Sequence, residues 1–259
     1  MAKYLTLERL GQSAIITINN PPANLWNPDS LRELAVIVRG LHDDATVRSV
    51  VITGAGEAFF SAGADLKLFT TGDRETAAAF LDAFHDAFAA IRAYPGVTVA
   101  AINGYALGGG LECALMCDYM VAERGARLGL PEGKVGLIPS AGGTKTLADK
   151  VGRAWAKRIV LGGEIVTAEK AFEIGLVEEI VDSGFAKIVA VSLANKVSAQ
   201  GPEAVSAAHA LIDGSAERTL EAHLQLEREA ALALIGGDEQ KEGVAAFLGK
   251  RAPKWADED

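Results

Sequence analysis

Two short apolar runs, each soon followed by a glycine, constrain the fold of this chain more than any other feature of its sequence. Residues 49–53 read S-V-V-I-T before Gly54, and residues 97–102 read V-T-V-A-A-I shortly before Gly104. Runs of this length without a polar residue at every second position are typical of strands buried on both faces, as in parallel sheets. Parallel strands need long crossover connections, usually helical, so the sequence predicts an α/β fold.

Helical patterns surround these two runs. A helix is expected to start near Pro28, and residues 76–94 are expected to form another, because both carry apolar residues at three- and four-residue spacing. In the second, that stripe indicates a face packed on the core rather than an aromatic binding site. The apolar positions are Leu31, Leu34, Ala35 and Val38 in the first helix, and Phe80, Phe84, Phe88 and Ile91 in the second.

The two ends of the chain differ in pattern. Residues 4–8 and 14–18 alternate partially around a turn, which predicts an opening hairpin. Further helices are expected at residues 153–160 and after Thr167, and a strand at residues 176–181. From residue 200 onward the sequence is almost wholly helical, with a break at Gly236-Gly237 and Asp238 as the expected cap of a last helix. We therefore divide the chain into a core at residues 1–199 and a helical region at residues 200–259.

Charge and composition exclude several classes of function. The 259 residues carry a formal net charge of −9, which argues against a general nucleic-acid or anionic-membrane surface. No run is long and apolar enough for a membrane span and no secretory leader is visible, so a cytoplasmic protein is expected. Cys113 and Cys117 are expected to be reduced core thiols. No metal site is expected, because none of the usual ligand spacings involves the four histidines, His42, His85, His209 and His223.

Two acidic residues stand out, because they lie in glycine-rich and otherwise nearly uncharged sequence. Glu112 ends G-Y-A-L-G-G-G-L-E, and Glu132 lies in L-G-L-P-E-G-K-V-G-L-I-P-S-A-G-G-T. Ionised carboxylates are costly to bury unless they are paired, hydrogen-bonded or shifted in pKa. The pair is therefore a candidate for acid–base chemistry at a site that excludes water.

Two loops of small residues precede or contain these acids. Residues 62–64 (A-G-A) would let another molecule approach the main chain, although a tight turn capped by Asp65 explains them equally well. Residues 104–112 follow an apolar strand and open a helix, a position that favours an anion or a thioester carbonyl. A dinucleotide-binding loop is the rival interpretation, with Glu132 about 20 residues on as the ribose ligand. The glycines, however, do not have the spacing G-x-G-x-x-G.

Three strings together resemble the crotonase, or enoyl-CoA hydratase, superfamily: F-F-S-A-G-A-D-L-K, A-A-I-N-G-Y-A-L-G-G-G-L-E and L-G-L-P-E-G-K-V-G-L-I-P-S-A-G-G-T. The resemblance runs nearly end to end and includes the opening I-T-I-N-N-P-P-A-N and the closing D-E-Q-K-E-G-V-A-A-F-L-G-K-R. It implies a crotonase (ClpP-like) α/β fold, in which β-β-α turns wind into a superhelix over residues 1–199. Residues 200–259 would then be a helical trimerisation region, giving a homotrimer or a dimer of trimers.

The same resemblance implies roles for individual residues. Glu112 and Glu132 match the catalytic glutamates of the hydratases, and the N–H groups of Ala64 and Gly109 match the oxyanion hole for the thioester carbonyl. The path of coenzyme A is expected along Ala23, Ala62, Asp65 and Leu66, with Lys67 and Lys250 as phosphate contacts. Trp26 and Phe69 are candidates for the acyl pocket or for ordinary packing.

The implied reaction is the addition of water across the 2,3 double bond of an enoyl-CoA. It needs no cofactor, since coenzyme A is part of the substrate, and neither nucleic acid nor membrane is an expected partner. Two readings within the family stay open, a Δ3,Δ2-enoyl-CoA isomerase and a specialised hydratase or lyase. Outside catalysis, the remaining alternative is a crotonase-like protein that binds RNA or a partner, which the acidic charge and the two intact glutamates disfavour.

Overall fold

A computed structural model describes residues 4–256 and consists of two sheets surrounded by helices. The main sheet has six strands in the order β1-β2-β3-β5-β7-β10, and a smaller sheet has four in the order β4-β6-β8-β9. The strands are β1 (Leu5–Leu10), β2 (Ser13–Ile18), β3 (Ser49–Gly54), β4 (Phe59–Ser61), β5 (Val97–Ile102), β6 (Tyr105–Leu107), β7 (Tyr119–Glu123), β8 (Arg127–Gly129), β9 (Val166–Thr167) and β10 (Glu179–Val181). The helices are α1 (Pro28–His42), α2 (Arg74–Arg92), α3 (Gly109–Leu115), α4 (Gly143–Leu161), α5 (Ala168–Glu173), α6 (Ala186–Ser198), α7 (Pro202–Asp213), α8 (Leu220–Leu234) and α9 (Asp238–Leu248).

A strand–strand–helix unit occurs three times in succession: β3-β4-α2, β5-β6-α3 and β7-β8-α4. In each unit the first strand joins the main sheet and the second joins the smaller one. The strands that correspond between successive units pair in parallel. In the main sheet β3 pairs with β5 and β5 with β7, and in the smaller sheet β4 pairs with β6 and β6 with β8. This repetition is the superhelix that the resemblance implied.

The main sheet is covered on both faces, which explains why its strands lack alternating polar residues. Val50 and Ile52 of β3 face a core that includes the apolar sides of α1 and α2. Val51 faces the other way, toward α6, with Val99 and Val121 beside it. The opening hairpin and the parallel strands β3 and β5 are therefore as predicted.

The first two helices begin where their sequences provide caps. In α1 the side chain of Asn27 accepts a hydrogen bond from the N–H of Ser30, and the Ser30 hydroxyl accepts one from the N–H of Asn27. Pro28, at the first turn, has no N–H that would be left without a partner. Asp73 caps α2 in the same way by accepting from Thr76. The buried faces of both helices contain the predicted apolar positions.

Two local expectations are wrong, and a third is incomplete. The strand at residues 176–181 is shorter, because the N–H of Leu176 bonds back to Ala171 and closes the end of α5; only Glu179–Val181 pairs with β7. Asp238 is the first residue of α9, and Gly237 occupies the cap. Residues 104–112 do open a helix, α3, which begins at Gly109, but the short strand β6 before it was not expected.

The chain from Pro202 to Leu248 consists of α7, α8 and α9 with short connections. Neither α7 nor α8 buries any of its residues completely, and α9 buries only Ala246. Within the part of the chain that the structure describes, no helix combines the length and apolar character that a bilayer crossing requires.

Candidate active site

Three neighbouring strands of the smaller sheet end at one place and deliver the candidate residues there. Strands β4, β6 and β8 are parallel, so their carboxyl ends lie at the same edge. The segment after β4 carries Ala64, the helix after β6 carries Gly109 and Glu112, and the segment after β8 carries Glu132. The carboxyl edge of parallel strands is a usual position for a ligand site in α/β proteins.

Each glycine of the Gly108-Gly109-Gly110 sequence has its own structural reason. Gly108 has a φ of 52°, which favours glycine, and a Cβ there would lie 3.1 Å from Oε1 of Glu132. A Cβ on Gly109 would lie 2.9 Å from the ring of Phe84. One on Gly110 would lie 2.1 Å from the carbonyl oxygen of Ser61. The loop is therefore packed from three sides, and a side chain at any of these positions would displace it.

The main-chain N–H groups of Ala64 and Gly109 lie on two loops that touch. Gly63, with a φ of 93°, fits against the second loop so closely that a Cβ on it would lie 2.8 Å from the oxygen of Leu107 and 3.1 Å from the nitrogen of Gly109. Among residues 4–256, neither of the two N–H groups donates to an acceptor. Both residues line one cavity. The two N–H groups are thus available to an oxygen atom of a ligand.

Glu112 is held by main-chain hydrogen bonds. Its Oε1 accepts from the N–H groups of Ala141 at 2.8 Å and Gly143 at 2.9 Å. Gly142 lies between these two donors with a φ of 102°, and this left-handed conformation aims both N–H groups at one oxygen. Glu112 is 3% exposed, and this burial raises the pKa of its carboxyl, while the two hydrogen bonds act in the opposite direction.

Glu132 has different surroundings. It begins the short 3-10 helix Glu132–Val135, and its buried Oε2 has no hydrogen-bond partner among the described residues. Burial, together with the nearby charge of Glu112, raises the pKa of Glu132 to about 7. Burial therefore raises the pKa of both carboxyls. At Glu112 two main-chain donors oppose this shift, whereas Glu132 can hold or release a proton near neutral pH.

A cavity of about 530 Å³ joins these groups. Besides Glu112, Glu132, Ala64 and Gly109, the predicted residues that line it are Ala62, Asp65, Leu66, Lys67 and Phe69. Three other candidates do not line it. Ala23 lies behind the wall, where its carbonyl accepts from the N–H of Ala62, and Lys250 follows the end of α9. Trp26 is fully buried in the core, with its ring edge-on to Phe88.

Two features of the site were not predicted from sequence. The first is the pair of N–H donors at Ala141 and Gly143. The string S-A-G-G-T before a helix could have indicated them, because the first N–H groups of a helix have no partner within it. The second is the apolar wall of the cavity, formed by Leu81, Phe84, Leu107, Val135, Leu137 and Ile138. Phe84 was assigned to the core stripe, and it contributes to both the core and the cavity.

One cluster elsewhere has side chains of the type that binds metals. Potential ligand atoms of Asp118, His209 and Asp213 lie within 4.8 Å of one another. Nε2 of His209 is hydrogen-bonded to Asp118 at 2.7 Å, and Asp213 is paired with Arg92 at 3.0 Å. All three side chains are thus engaged by protein partners.

Comparisons with known proteins identify the family of the chain. The family model for enoyl-CoA hydratase/isomerase matches residues 10–258. The 2,3-dehydroadipyl-CoA hydratase of Escherichia coli is 38% identical over 252 residues, which cover 97% of this chain and 98% of that protein. The short-chain-enoyl-CoA hydratase of Clostridium acetobutylicum is 34% identical over 95% of this chain and 94% of its own length.

Two solved structures superpose over almost the whole chain. Pseudomonas aeruginosa DspI is 50% identical with a TM-score of 0.95, and the match covers 98% of this chain and 97% of that one. An enoyl-CoA hydratase from Bacillus anthracis is 34% identical with a TM-score of 0.94, over 98% and 99% of the two chains. The chain therefore belongs to the enoyl-CoA hydratase/isomerase family, the crotonase superfamily of enzymes.

Proposed function

We propose that the protein is an enoyl-CoA hydratase, which adds water across the 2,3 double bond of a 2-enoyl-CoA to give a 3-hydroxyacyl-CoA. The observation that carries this proposal is the unequal pair of carboxyls on one cavity. Glu112 accepts two main-chain hydrogen bonds, while Glu132 has a pKa of about 7 and an Oε2 without a protein partner. Relatives named as hydratases, covering almost the whole chain, support the same reaction.

The geometry divides the chemistry between these groups. Ionised Glu112 accepts a proton from a water molecule as the water oxygen forms its bond to C3. The electrons of the double bond move toward the thioester, and the negative charge on its oxygen is stabilised by the N–H groups of Ala64 and Gly109. Protonated Glu132 then supplies the hydrogen that C2 gains. Exchange of protons with solvent restores both carboxyls, and no cofactor is required.

The lining of the cavity favours an uncharged aliphatic acyl chain. Its apolar wall provides no partner for a charged group. Two lysines, Lys67 and Lys134, also line the cavity. The side chain of Lys134 lies along Gly163, where a Cβ on the glycine would be 3.0 Å from Cε of Lys134. Lys67 lies beside Asp65 and Leu66, where we place the coenzyme A portion. Lys67 is the phosphate contact in this arrangement, with Ala62 along the pantetheine path.

The C-terminal helices support a proposal on assembly. Large apolar side chains on α7, α8 and α9 and on their connections are exposed to an extent that is unusual for a monomer. They include Ile212, Leu220, Ile235, Phe247 and Leu248, each at least 66% exposed. We propose that a homotrimer, or a dimer of trimers, covers them. Ala23 and Lys250, which do not line the cavity within one chain, stay candidates for contact with coenzyme A in that assembly.

The test is a panel of acyl-CoA thioesters incubated with the purified protein. Loss of the conjugated-thioester absorbance should occur with crotonyl-CoA and with longer aliphatic 2-enoyl-CoA substrates, and it should be slower with a 2-enoyl chain that ends in a carboxylate. Mass spectrometry should find one water added. If 3-enoyl-CoA is converted to 2-enoyl-CoA and no 2-enoyl-CoA is hydrated, the protein is an isomerase and the proposal is wrong.

A further inference from the structure

A polar groove crosses the carboxyl-terminal edge of the main sheet, away from the active site. It consists of two adjoining cavities of about 420 and 320 Å³, which share Gly56, Asn103, Glu123 and Gly184. No residue that lines the active-site cavity lines either of these two. We propose that this groove binds an ammonium or guanidinium group, with the carboxylate of Glu123 as its counter-charge.

The groove exists because the apolar face under α6 ends at this edge. Along β7, Met120 and Ala122 face the larger core and Val121 faces α6, so alternation places Glu123 on the α6 side. Val121 belongs to the apolar cluster under α6, and Glu123 is the next residue on that face. The first turn of α6 begins beside it, after Gly184.

Glu123 is largely buried, and its carboxylate opens onto the groove. The residue is 7% exposed, no hydrogen bond or ion pair to its carboxylate is found among residues 4–256, and its oxygens are not among the atoms fully shielded from solvent. Glu123 nevertheless lines both cavities, so a molecule in the groove can reach it. A carboxylate that is largely shielded from water is stabilised by a group that supplies donors. A ligand with N–H donors would supply them.

The charges in the groove select a cation. Its lining contains three carboxylates, those of Glu8, Glu57 and Glu123, against the single ammonium of Lys187. Nζ of Lys187 is already paired with Glu8 at 3.1 Å. Tyr105, 41% exposed, forms part of the wall. The face of an aromatic ring attracts a cation, most often guanidinium.

A nitrogen cation fits this site better than a metal ion does. Calcium in proteins takes six to eight oxygen ligands, and structural metal sites combine several charged side chains. Among residues 4–256 the one cluster of three candidate metal ligands is at Asp118, His209 and Asp213, outside the groove. The groove offers a single largely buried carboxylate and neutral hydroxyl groups, such as that of Thr53. These groups suit an organic cation, which does not need a complete shell of protein ligands.

The experiment is a titration with agmatine, which carries both kinds of cationic group, followed by calorimetry. Butane-1,4-diol, of similar length and uncharged, is the matched ligand control. We expect saturable agmatine binding that weakens with added salt, and no binding of the diol. Glu123→Gln should weaken agmatine binding at least about tenfold, since a charge-assisted hydrogen bond is lost. Glu217→Gln, an exposed change outside the groove, should leave it unchanged.

A second variant makes the test independent of any folding defect in Glu123→Gln. Ser183→Lys changes an exposed residue of the groove and tethers an ammonium beside Glu123, so it should abolish agmatine binding with no change in circular dichroism.

The cation can also be a side chain of a second copy of this chain. In that case agmatine does not bind, and Glu123→Gln lowers the mass of the assembly. Equal agmatine binding by the wild type and Glu123→Gln overturns the proposal, as does the absence of both binding and a change in mass.

Discussion

At the residue scale, the two carboxyls of the active site differ in what surrounds them although they share one cavity. The donors to Glu112 come from a glycine-rich helix start and favour its ionised form. Glu132 has burial and a neighbouring negative charge, which both favour its protonated form. In the proposed reaction, the different surroundings of the two glutamates, and not their residue type, divide the roles of base and acid.

The pH dependence of kcat/KM should therefore have two limbs. Glu132 must be protonated to deliver a hydrogen to C2, so the hydration rate should fall as pH rises through about 7. Glu112 must be ionised, so the rate should also fall at acidic pH. The measurement is kcat/KM for crotonyl-CoA at constant ionic strength, with wild type and Glu132→Gln compared. Persistence of the alkaline limb in Glu132→Gln would assign that limb to another group.

Gly63 controls the distance between the two loops of the oxyanion site. Gly63→Ala places a Cβ 2.8 Å from the oxygen of Leu107 at a φ of 93°, so the loops must separate. We expect kcat to fall about 10²–10³-fold, as for the loss of one oxyanion donor. The free energy of unfolding should fall by at least about 1 kcal/mol from backbone strain. Both quantities are measured on the same preparation, by enoyl-CoA hydration and urea denaturation.

The control for this change is Gly175→Ala. Gly175 has a φ of 76°, but a Cβ there meets no atom within 4 Å. It should show the cost in stability and an unaltered rate. If Gly63→Ala also hydrates its substrate at the wild-type rate, Ala64 and Gly109 do not act as a positioned pair.

At the element scale, the site depends on strands that are almost too short to recognise. Strands β4, β6 and β8 have three residues each, and their sequences carry no measurable alternation. The sequence therefore indicated the six-residue strands β1, β2, β3 and β5 of the main sheet, while these three strands and β7 were not predicted. The glycine-rich and nearly uncharged surroundings of Glu112 and Glu132 indicated them as a candidate pair. The resemblance to a family supplied their roles, because no local pattern shows that residues 20 apart meet. Likewise, apolar Leu176 and Val177 indicated a strand, whereas they are buried at the end of a helix.

Helix α7 is attached to the core through a titratable contact. His209 on α7 bonds Asp118, with Asp213 and Arg92 as the other charged groups near it. The hydrogen bond to Asp118 raises the pKa of His209. Burial raises the pKa of Asp118, but the hydrogen bonds from His209 and Thr98 outweigh it and lower that pKa overall. The contact should be strongest between about pH 4 and pH 6.5, above the ordinary pKa of Asp and below that of His.

Hydrogen exchange of α7 measures this attachment. Stabilisation from His209 is present below its ordinary pKa and is lost as pH rises through the raised value, so α7 should open several-fold more often at pH 8.5 than at pH 5.5. Opening frequencies are compared after correction for the intrinsic pH dependence of exchange. His209→Gln should remove that difference, and His42→Gln, on α1, should retain it. Equal opening of wild-type α7 at both pH values contradicts this account of the contact.

At the scale of the whole molecule, the C-terminal helices expose large apolar side chains, which the proposed trimer would cover. Phe247 on α9 is 83% exposed. If an assembly buries it, Phe247→Ser should lower the molar mass measured by light scattering, whereas Val36→Ser, a 70% exposed position on α1, should not. A wild-type protein that is monomeric at all concentrations contradicts the proposed trimer.

The central claim is that Glu112 and Glu132 act together in the addition of one water, Glu112 as the base toward the water and Glu132 as the acid toward C2. The most direct test is the rate of loss of the enoyl-thioester absorbance with crotonyl-CoA for wild type, Glu112→Gln, Glu132→Gln and the exposed control Glu57→Gln. Removal of a positioned acid or base costs about 10²–10⁴-fold, so we expect losses of that size in both site variants and none in the control. A site variant that retains wild-type kcat, with the fold intact by circular dichroism, contradicts the claim.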